Sequence, residues 1–301
     1  MSLSSITHSK EFIERWREVL IGFYGYDEYM EFLIVPSIWY GKTLSYLPLL
    51  NYTDREKNNI FDLLELAKDT DFQIRVLNFD YCNYKENDTV TMRLDIDSKD
   101  SNQIFAESIK SRCRNKIRNS IKKNDFKLQK GNSNNLIDDF YTIFSKTMHN
   151  HGTPVFDKEL FYQIRDIFQD EVIFYLVYDN NRPIATMCIL LDRDIVWYPW
   201  GGVDMLYSKQ LVGYFIYWRV LEDIVDNYDK KIFDFGRSSY MGSTYRFKSQ
   251  FGANPVKIDI LNSKENNVYS KYSLASTIWK KLPKRVADSV GSKLCKYLVD
   301  L

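Results

Sequence analysis

The sequence predicts an α/β (α+β) protein of two tandem subdomains with mixed sheets, closed by a helical tail. Three observations predict it. Apolar periodicity switches between helical and strand spacing along the chain, and the same alternation runs through both halves. Gly131-Asn-Ser-Asn-Asn is a turn-rich break between the halves. Residues 271–301 are basic and carry apolar residues every four positions. The boundaries that follow are 1–135, 136–264 and 265–301, in a 301-residue chain long enough for two ordinary domains.

In the first half, residues 9–21 place Phe12, Ile13, Trp16, Val19 and Leu20 at helical spacing. Residues 31–36 read as a strand, and residues 38–40 with 42–50 as a second strand or hairpin. Thr53 with Glu56 is a capping-box signature ahead of a helix over 59–68, because a Thr side chain and a Glu three residues on can satisfy each other's backbone N–H. Strands are expected at 72–78 and 89–95, and a helix over 99–124.

In the second half, helices are expected at 136–148 and 158–169, followed by a strand over 172–178. Asp179-Asn-Asn-Arg is a hairpin turn and 183–192 the returning strand. A strand over 194–200 ends at Gly201-Gly202. Then come a helix (208–227), a strand (231–235), a short helix (244–251) and a strand (256–261). In the tail, Pro283 splits the apolar run into two helices, since proline removes an N–H and clashes with the preceding turn.

Composition narrows the function classes. Forty-one Lys plus Arg against 40 Asp plus Glu leave almost no net charge, so any attraction to a polyanion or membrane must be local. The four cysteines form no CxxC pair, which argues for reduced cytosolic thiols over a zinc site or disulfide framework. His149 and His151 stand two apart with no carboxylate or Cys beside them, a loop position rather than a metal site. No apolar run reaches 18 residues and no signal-peptide core is seen, so a cytoplasmic protein is expected.

The chemistry-bearing stretch is Phe233-Asp-Phe-Gly-Arg-Ser, followed by Tyr245-Arg-Phe-Lys-Ser-Gln-Phe-Gly252. Opposite charges, Asp234 and Arg237, sit at the end of a short strand, and Tyr245, Lys248 and Phe251 share helical spacing until Gly252 stops the helix. Polar and cationic groups gathered where a strand ends and a helix begins suit acyl transfer, whose transition state builds charge on a carbonyl oxygen. Lys248 is the candidate cation for that oxygen; the competing reading is a solvated helix lysine. Asp234 needs a partner if its strand is buried, and Arg237 or Arg246 is expected to supply it. That pair either holds the loop 238–243, or orients an acceptor amine while Arg237 meets a phosphate or carboxylate. Residues 110–130 hold nine basic residues and one acid, either a solvated helix face or a polyanion site with Arg114, Lys116 and Arg118 as contacts.

The element order of the second half is that of GNAT-type N-acyltransferase domains, and the chain resembles the FemAB-like acyltransferases, which pair two such subdomains. Four segments carry the likeness: the basic helix from Arg112, the segment from Phe140 to Phe156, the block from Phe233 to Ala253, and the tail from Ile278 to Gly291. The resemblance implies an N-acyltransferase or aminoacyltransferase with catalytic Lys248, Asp234 and Arg237, and substrate contacts from Ser238, Tyr245, Phe247 and Trp200. It implies no bound cofactor, with acyl-CoA or aminoacyl-tRNA as co-substrate. The acceptor it implies is an amine on a peptidoglycan or exopolysaccharide precursor, lipid-linked forms included. The strand around Trp200 would splay from its neighbour to admit the donor. The phosphate turn Gln/Arg-x-x-Gly-x-Gly/Ala of coenzyme A users is replaced by Tyr207-Ser-Lys-Gln-Leu-Val-Gly-Tyr, with one glycine. The basic tail either packs its apolar edge on the parent domain or touches the inner face of an anionic membrane. The rival class is a binding or scaffold protein that keeps the fold without the chemistry.

Overall fold

A computed structural model of the chain describes residues 6–29, 32–38, 41–45, 52–53, 71–262 and 276–298. In chain order the elements are α1 (Lys10–Tyr24), β1 (Asp27–Tyr29), β2 (Phe32–Ser37), β3 (Gly41–Ser45), β4 (Tyr52–Thr53), β5 (Asp71–Asn78) and β6 (Thr89–Asp95). There follow α2 (Ser111–Lys123), β7 (Lys127–Gly131), α3 (Asn134–His151), α4 (Lys158–Phe168), β8 (Val172–Asp179), β9 (Arg182–Leu191) and β10 (Ile195–Val203). The last are α5 (Val212–Asn227), β11 (Ile232–Ser239), α6 (Ser243–Lys248), β12 (Asn254–Asn262) and α7 (Lys284–Cys295). The helix expected over 59–68 lies outside the described residues, as does Glu56 of its capping box. The α/β class, the mixed strand directions and the helical tail are as expected.

Two compact units are interleaved along the chain: residues 1–8, 80–147 and 168–257 form one, and residues 9–79, 148–167 and 258–301 the other. In the first, the strands run in the order β12, β6, β11, β10, β9, β8, β7, residues 254–257 of β12 supplying the pairing to β6. All neighbours are antiparallel except β10 and β11, which are parallel. A parallel pair needs a crossover, and α5 is that crossover. Its Phe215, Ile216, Val220, Leu221 and Ile224 are buried in one cluster with Val90, Met92 and Leu94 of β6, Tyr175 and Val177 of β8, and Phe233 and Phe235 of β11. Asn180 and Asn181 take positive φ in the β8–β9 turn, the conformation a two-residue hairpin requires.

In the second unit, Ser9 caps α1 by accepting from the Phe12 N–H at 3.2 Å, and Gly25 closes the helix at φ 65°. The buried face of α1 (Phe12, Ile13, Trp16, Val19, Leu20 and Tyr24) matches the periodicity of the sequence. Strands β1, β2, β3 and β5 are neighbours in that order.

Several elements depart from expectation. The helix over 99–124 is interrupted: a turn of π-helix (Ile104–Ser108) gives way to extended backbone at Ile109 and Lys110 before α2 begins. The cause is packing. The Lys110 N–H donates to the Gln250 carbonyl at 3.0 Å, and a Cβ on Gly252 would lie 2.7 Å from the Ser108 carbonyl, so the 250–252 turn holds this backbone out of the helix. The turn-rich stretch at Gly131 does not begin as a linker, because Lys127–Gly131 forms β7 and pairs with β8. His149 and His151 lie in the last turn of α3 rather than in a loop. Strand β11 runs four residues beyond 235, which places Arg237 and Ser238 in the strand.

Candidate active site

The site begins with the end of the β10–β11 pair. The parallel register runs from Ile195↔Ile232 to Trp197↔Asp234, and just past it both strands are irregular. β10 shifts register against β9 between Trp197 and Trp200, and β11 shifts against β6 between Asp234 and Arg237. Gly236 makes the second bulge possible. Its φ is 75°, and a Cβ there would stand 2.6 Å from the Tyr198 carbonyl oxygen, so only glycine fits without strain.

Polar groups hold this bulge from inside. Asp234 is 3% exposed, and its Oδ1 accepts from the Gly236 N–H at 2.8 Å and from the Thr91 hydroxyl at 2.5 Å. Its Oδ2 accepts from Arg93 Nε at 2.8 Å, an ion pair with both side chains buried. The expected partners Arg237 and Arg246 are therefore replaced by Arg93 on β6. The physical reason is register: Asp234 stands directly opposite Arg93, whereas Arg237 is exposed. Arg93 also donates to the Ile6 carbonyl at 2.6 Å. A buried carboxylate with this many charge-assisted donors offsets its desolvation locally.

Lys248, the last residue of α6, is 4% exposed, which removes the solvated-helix reading. Its Nζ donates to the carbonyls of Gly236 at 3.0 Å and Arg237 at 2.9 Å. A lysine amine offers three substituent directions, so one remains without a partner among the described residues. Burial pushes its pKa down from 10.5 to about 7; the Asp234 charge opposes that shift and the Arg237 charge adds to it. Near neutral pH the group can therefore be a cation or a neutral amine.

The other expected residues distribute around this centre. Ser238 is buried and donates to the Arg237 carbonyl at 2.9 Å. The Tyr245 ring lies 4.9 Å from that of Tyr240, which stacks on Tyr84. Phe247 packs edge-on against Tyr217 of α5 at 4.8 Å and Tyr214 at 5.0 Å. Trp200 is half-buried on β10, its ring 6.2 Å from Trp197. On α2, Lys116 reaches the Tyr214 hydroxyl at 2.8 Å, beside the first turn of α5. Arg118 lies over the Phe105 ring, while Arg114 donates to the carbonyls of Ala106 and Ile109 and so caps the interrupted helix. Helix α5 itself starts at Leu211 in the left-handed region, φ 62°, where a glycine would be expected.

Arg93 and Thr91 are the participants that motif reading missed. The available signal was a charged residue inside the alternating strand Thr-Val-Thr-Met-Arg-Leu-Asp, which marks an inward-facing polar position.

Comparison with known proteins places this arrangement. Residues 109–249 match the family described as an acetyltransferase (GNAT) domain, a span that holds the bulge, α5 and Lys248. That span of the chain is similar to acetyltransferase domains of the GNAT type. Its fold is that of FemX, at a TM-score of 0.60 and 13% identity over 91% of this chain and 96% of that one. It is also similar to L-PGS from Bacillus licheniformis, with TM-score 0.51, 11% identity, and 92% and 98% of the two chains covered. A third likeness is to the C-terminal domain of a protein assigned as a lysylphosphatidylglycerol synthetase from Agrobacterium fabrum, with TM-score 0.54, 10% identity, and 89% and 95% covered. No curated protein matches the chain. At the level of fold, the FemAB-like resemblance of the signature block is borne out. Among the described residues, no helix is long and apolar enough to cross a membrane.

Proposed function

We propose that this GNAT-type domain transfers an acyl or aminoacyl group from an activated donor to an amine of a cell-envelope or polysaccharide precursor. The carrying observation is Lys248, a buried lysine in the acetyltransferase span with one direction of its amine unpartnered beside the bulge of β11. In the reaction, the acceptor nitrogen attacks the donor carbonyl carbon and the carbonyl π electrons move onto oxygen. The carbonyl then re-forms as the C–S bond of a thioester or the C–O bond of an ester breaks, and the departing thiolate or alkoxide takes up the proton that the attacking amine gives up. Protonated Lys248 would stabilise the developing oxyanion, a service worth orders of magnitude in rate in a low-dielectric site. Asp234 acts through the bulge it holds, and exposed Arg237 would meet an anionic group of a substrate. Tyr245, Phe247 and Trp200 supply aromatic surface, and Lys116 and Arg118 positive charge.

Acyl-CoA and aminoacyl-tRNA are the candidate donors, and the family match favours the former class. The left-handed Leu211 and the single glycine, Gly213 in the first turn of α5, favour a donor grip unlike the glycine-rich turn, and they also support the second reading, a scaffold that binds without chemistry. Thermal shift with acyl-CoAs and with charged tRNA separates these, since a ligand at about 100 times its dissociation constant adds about 2.7 kcal/mol. A tRNA response falls steeply with salt and a coenzyme A response does not. Transfer to an amine acceptor, followed by mass spectrometry, should be abolished in Lys248→Ala while circular dichroism stays native. Full transfer in that variant refutes the role of Lys248, and silence toward both donors favours the scaffold. The place of action proposed is the cytoplasm, at the inner face of the membrane when the acceptor is lipid-linked.

A further inference from the structure

Helix α7 divides its surface in an unexpected way. Ala287, Gly291 and Cys295, spaced by four, are its buried positions, and Gly291 is packed so closely that a Cβ would lie 3.0 Å from the Val155 N. Side-chain hydrogen bonds from Tyr26 Oη to the Lys296 carbonyl at 2.6 Å, and between His149 Nε2 and the Leu282 carbonyl at 2.9 Å, fasten the two ends of this segment. The small-residue edge is thus the docked one. The larger apolar residues point the other way: Val286 is 45% exposed, Val290 41%, and Ile278 of the preceding turn 57%. At 100° per residue, Val286 and Val290 stand 40° apart on the helix, Lys293 lies 20° beyond Val286, and Arg285 a further 80° round. Lys280, Lys281, Lys284, Arg285 and Lys293 are all exposed, and the nearby acid Asp288 pairs with Lys284 at 2.5 Å.

We propose that this outer face of residues 276–298 is a peripheral binding surface for an anionic lipid bilayer. A narrow apolar stripe bordered by cations is the pattern of an interfacial helix, whose aliphatic side chains enter the acyl boundary while Lys and Arg meet the headgroups. A protein partner would be expected to cover the stripe with a matching apolar surface, whereas five exposed cations beside a single paired acid complement a negatively charged plane. Because the docked edge is separate, the helix needs no rearrangement to present this face.

The test uses the full chain and co-sedimentation with phosphatidylcholine vesicles, with and without 30% phosphatidylglycerol, at low and physiological salt. Binding is expected to the anionic vesicles alone. Val286→Glu/Val290→Glu and Arg285→Glu/Lys293→Glu alter exposed positions, so both variants should keep the native Tm, and each should lose more than tenfold in vesicle affinity. Absence of binding by the native chain at low salt overturns the proposal. So does binding that Val286→Glu/Val290→Glu leaves intact, which would assign the attraction to the basic stretch 110–130. A dimer in solution that the same variant dissolves, with no lipid binding, also overturns it and makes the face a contact between copies of the chain.

Discussion

Replacing Lys248 by Met tests the electrostatics of the site most directly, because Met keeps the chain length and removes the titrating group. In the native protein burial lowers the Lys248 pKa to about 7, against 10.5 for an ordinary lysine. Between those values the unfolded chain carries a proton that the folded chain lacks, so stability rises with pH, with a slope approaching about 1.4 kcal/mol per pH unit. Below about pH 7 both states are protonated and the full cost of burying the charge is felt; above about 10.5 neither is, and the cost vanishes. From pH 7 to pH 9 this one group should add about 2 kcal/mol to native stability, allowing for half-protonation at the start. The Met variant lacks that gain, and it also leaves the carbonyls of Gly236 and Arg237 without their donor, a pH-independent loss of about 1–3 kcal/mol each. Urea denaturation of both proteins at pH 7, 8 and 9 separates the two effects, since contributions common to both cancel in the difference. A stability difference that stays constant across that range would show that Lys248 titrates normally and would refute the reasoning.

Other expectations follow from the same contacts. Arg93→Leu leaves the buried Asp234 carboxylate without its cation and should lower stability by about 3–5 kcal/mol, most of it recovered in Arg93→Leu/Asp234→Leu, as read by chemical denaturation. Gly236→Ala forces a Cβ to 2.6 Å from a backbone oxygen at positive φ and should cost at least about 2 kcal/mol, whereas Gly213→Ala, whose nearest neighbours are at 3.8 Å in a helix, should be neutral or stabilising by about 0.5–1 kcal/mol. If the protonated lysine serves the oxyanion, transfer activity falls as pH rises through about 7. Asp234→Asn then moves that fall to lower pH, because the lost carboxylate was raising the lysine pKa, and Arg237→Gln moves it to higher pH; equal shifts in one direction would contradict the assignment.

The fold was legible wherever burial imposes a period. The faces of α1 and α5 and the strands β5, β6 and β8 are read from apolar spacing, because each buries one side against a neighbour. Lys248, Asp234 and Arg237 could be singled out because they cluster within fifteen residues where a strand meets a helix. Three things were hidden for one shared reason: they depend on residues far apart in the chain. The break at Ile109 exists because the 250–252 turn binds that backbone. Arg93 finds Asp234 through a strand pairing across 141 residues. In α7 the every-four pattern of Val286 and Val290 suggests a buried edge, yet the close approach of Val155 admits only small side chains and turns Ala287 and Gly291 inward. β7 escaped notice because its residues, Lys127 to Gly131, are polar apart from Leu128 and mostly exposed, so this edge strand carries little apolar alternation.

One residue ties the two buried ionisable groups of the site together. The Gly236 N–H donates to Asp234, and the carbonyl of the same residue accepts from Lys248, so the carboxylate and the amine fix the two peptide planes on either side of a glycine whose left-handed conformation the bulge requires. As pure architecture this is an expensive arrangement. A lysine whose pKa is driven to about 7 by burial destabilises the folded state whenever it is protonated, and its two acceptors are backbone carbonyls that carry no compensating full charge. Groups with pKa values shifted by burial and one specific partner concentrate at functional sites, and here the shifted group stands beside the bulge where β10 and β11 lose register, inside the span that matches an acetyltransferase domain. The stability that burying Lys248 forgoes is therefore the strongest structural argument that the bulge serves chemistry and not packing alone.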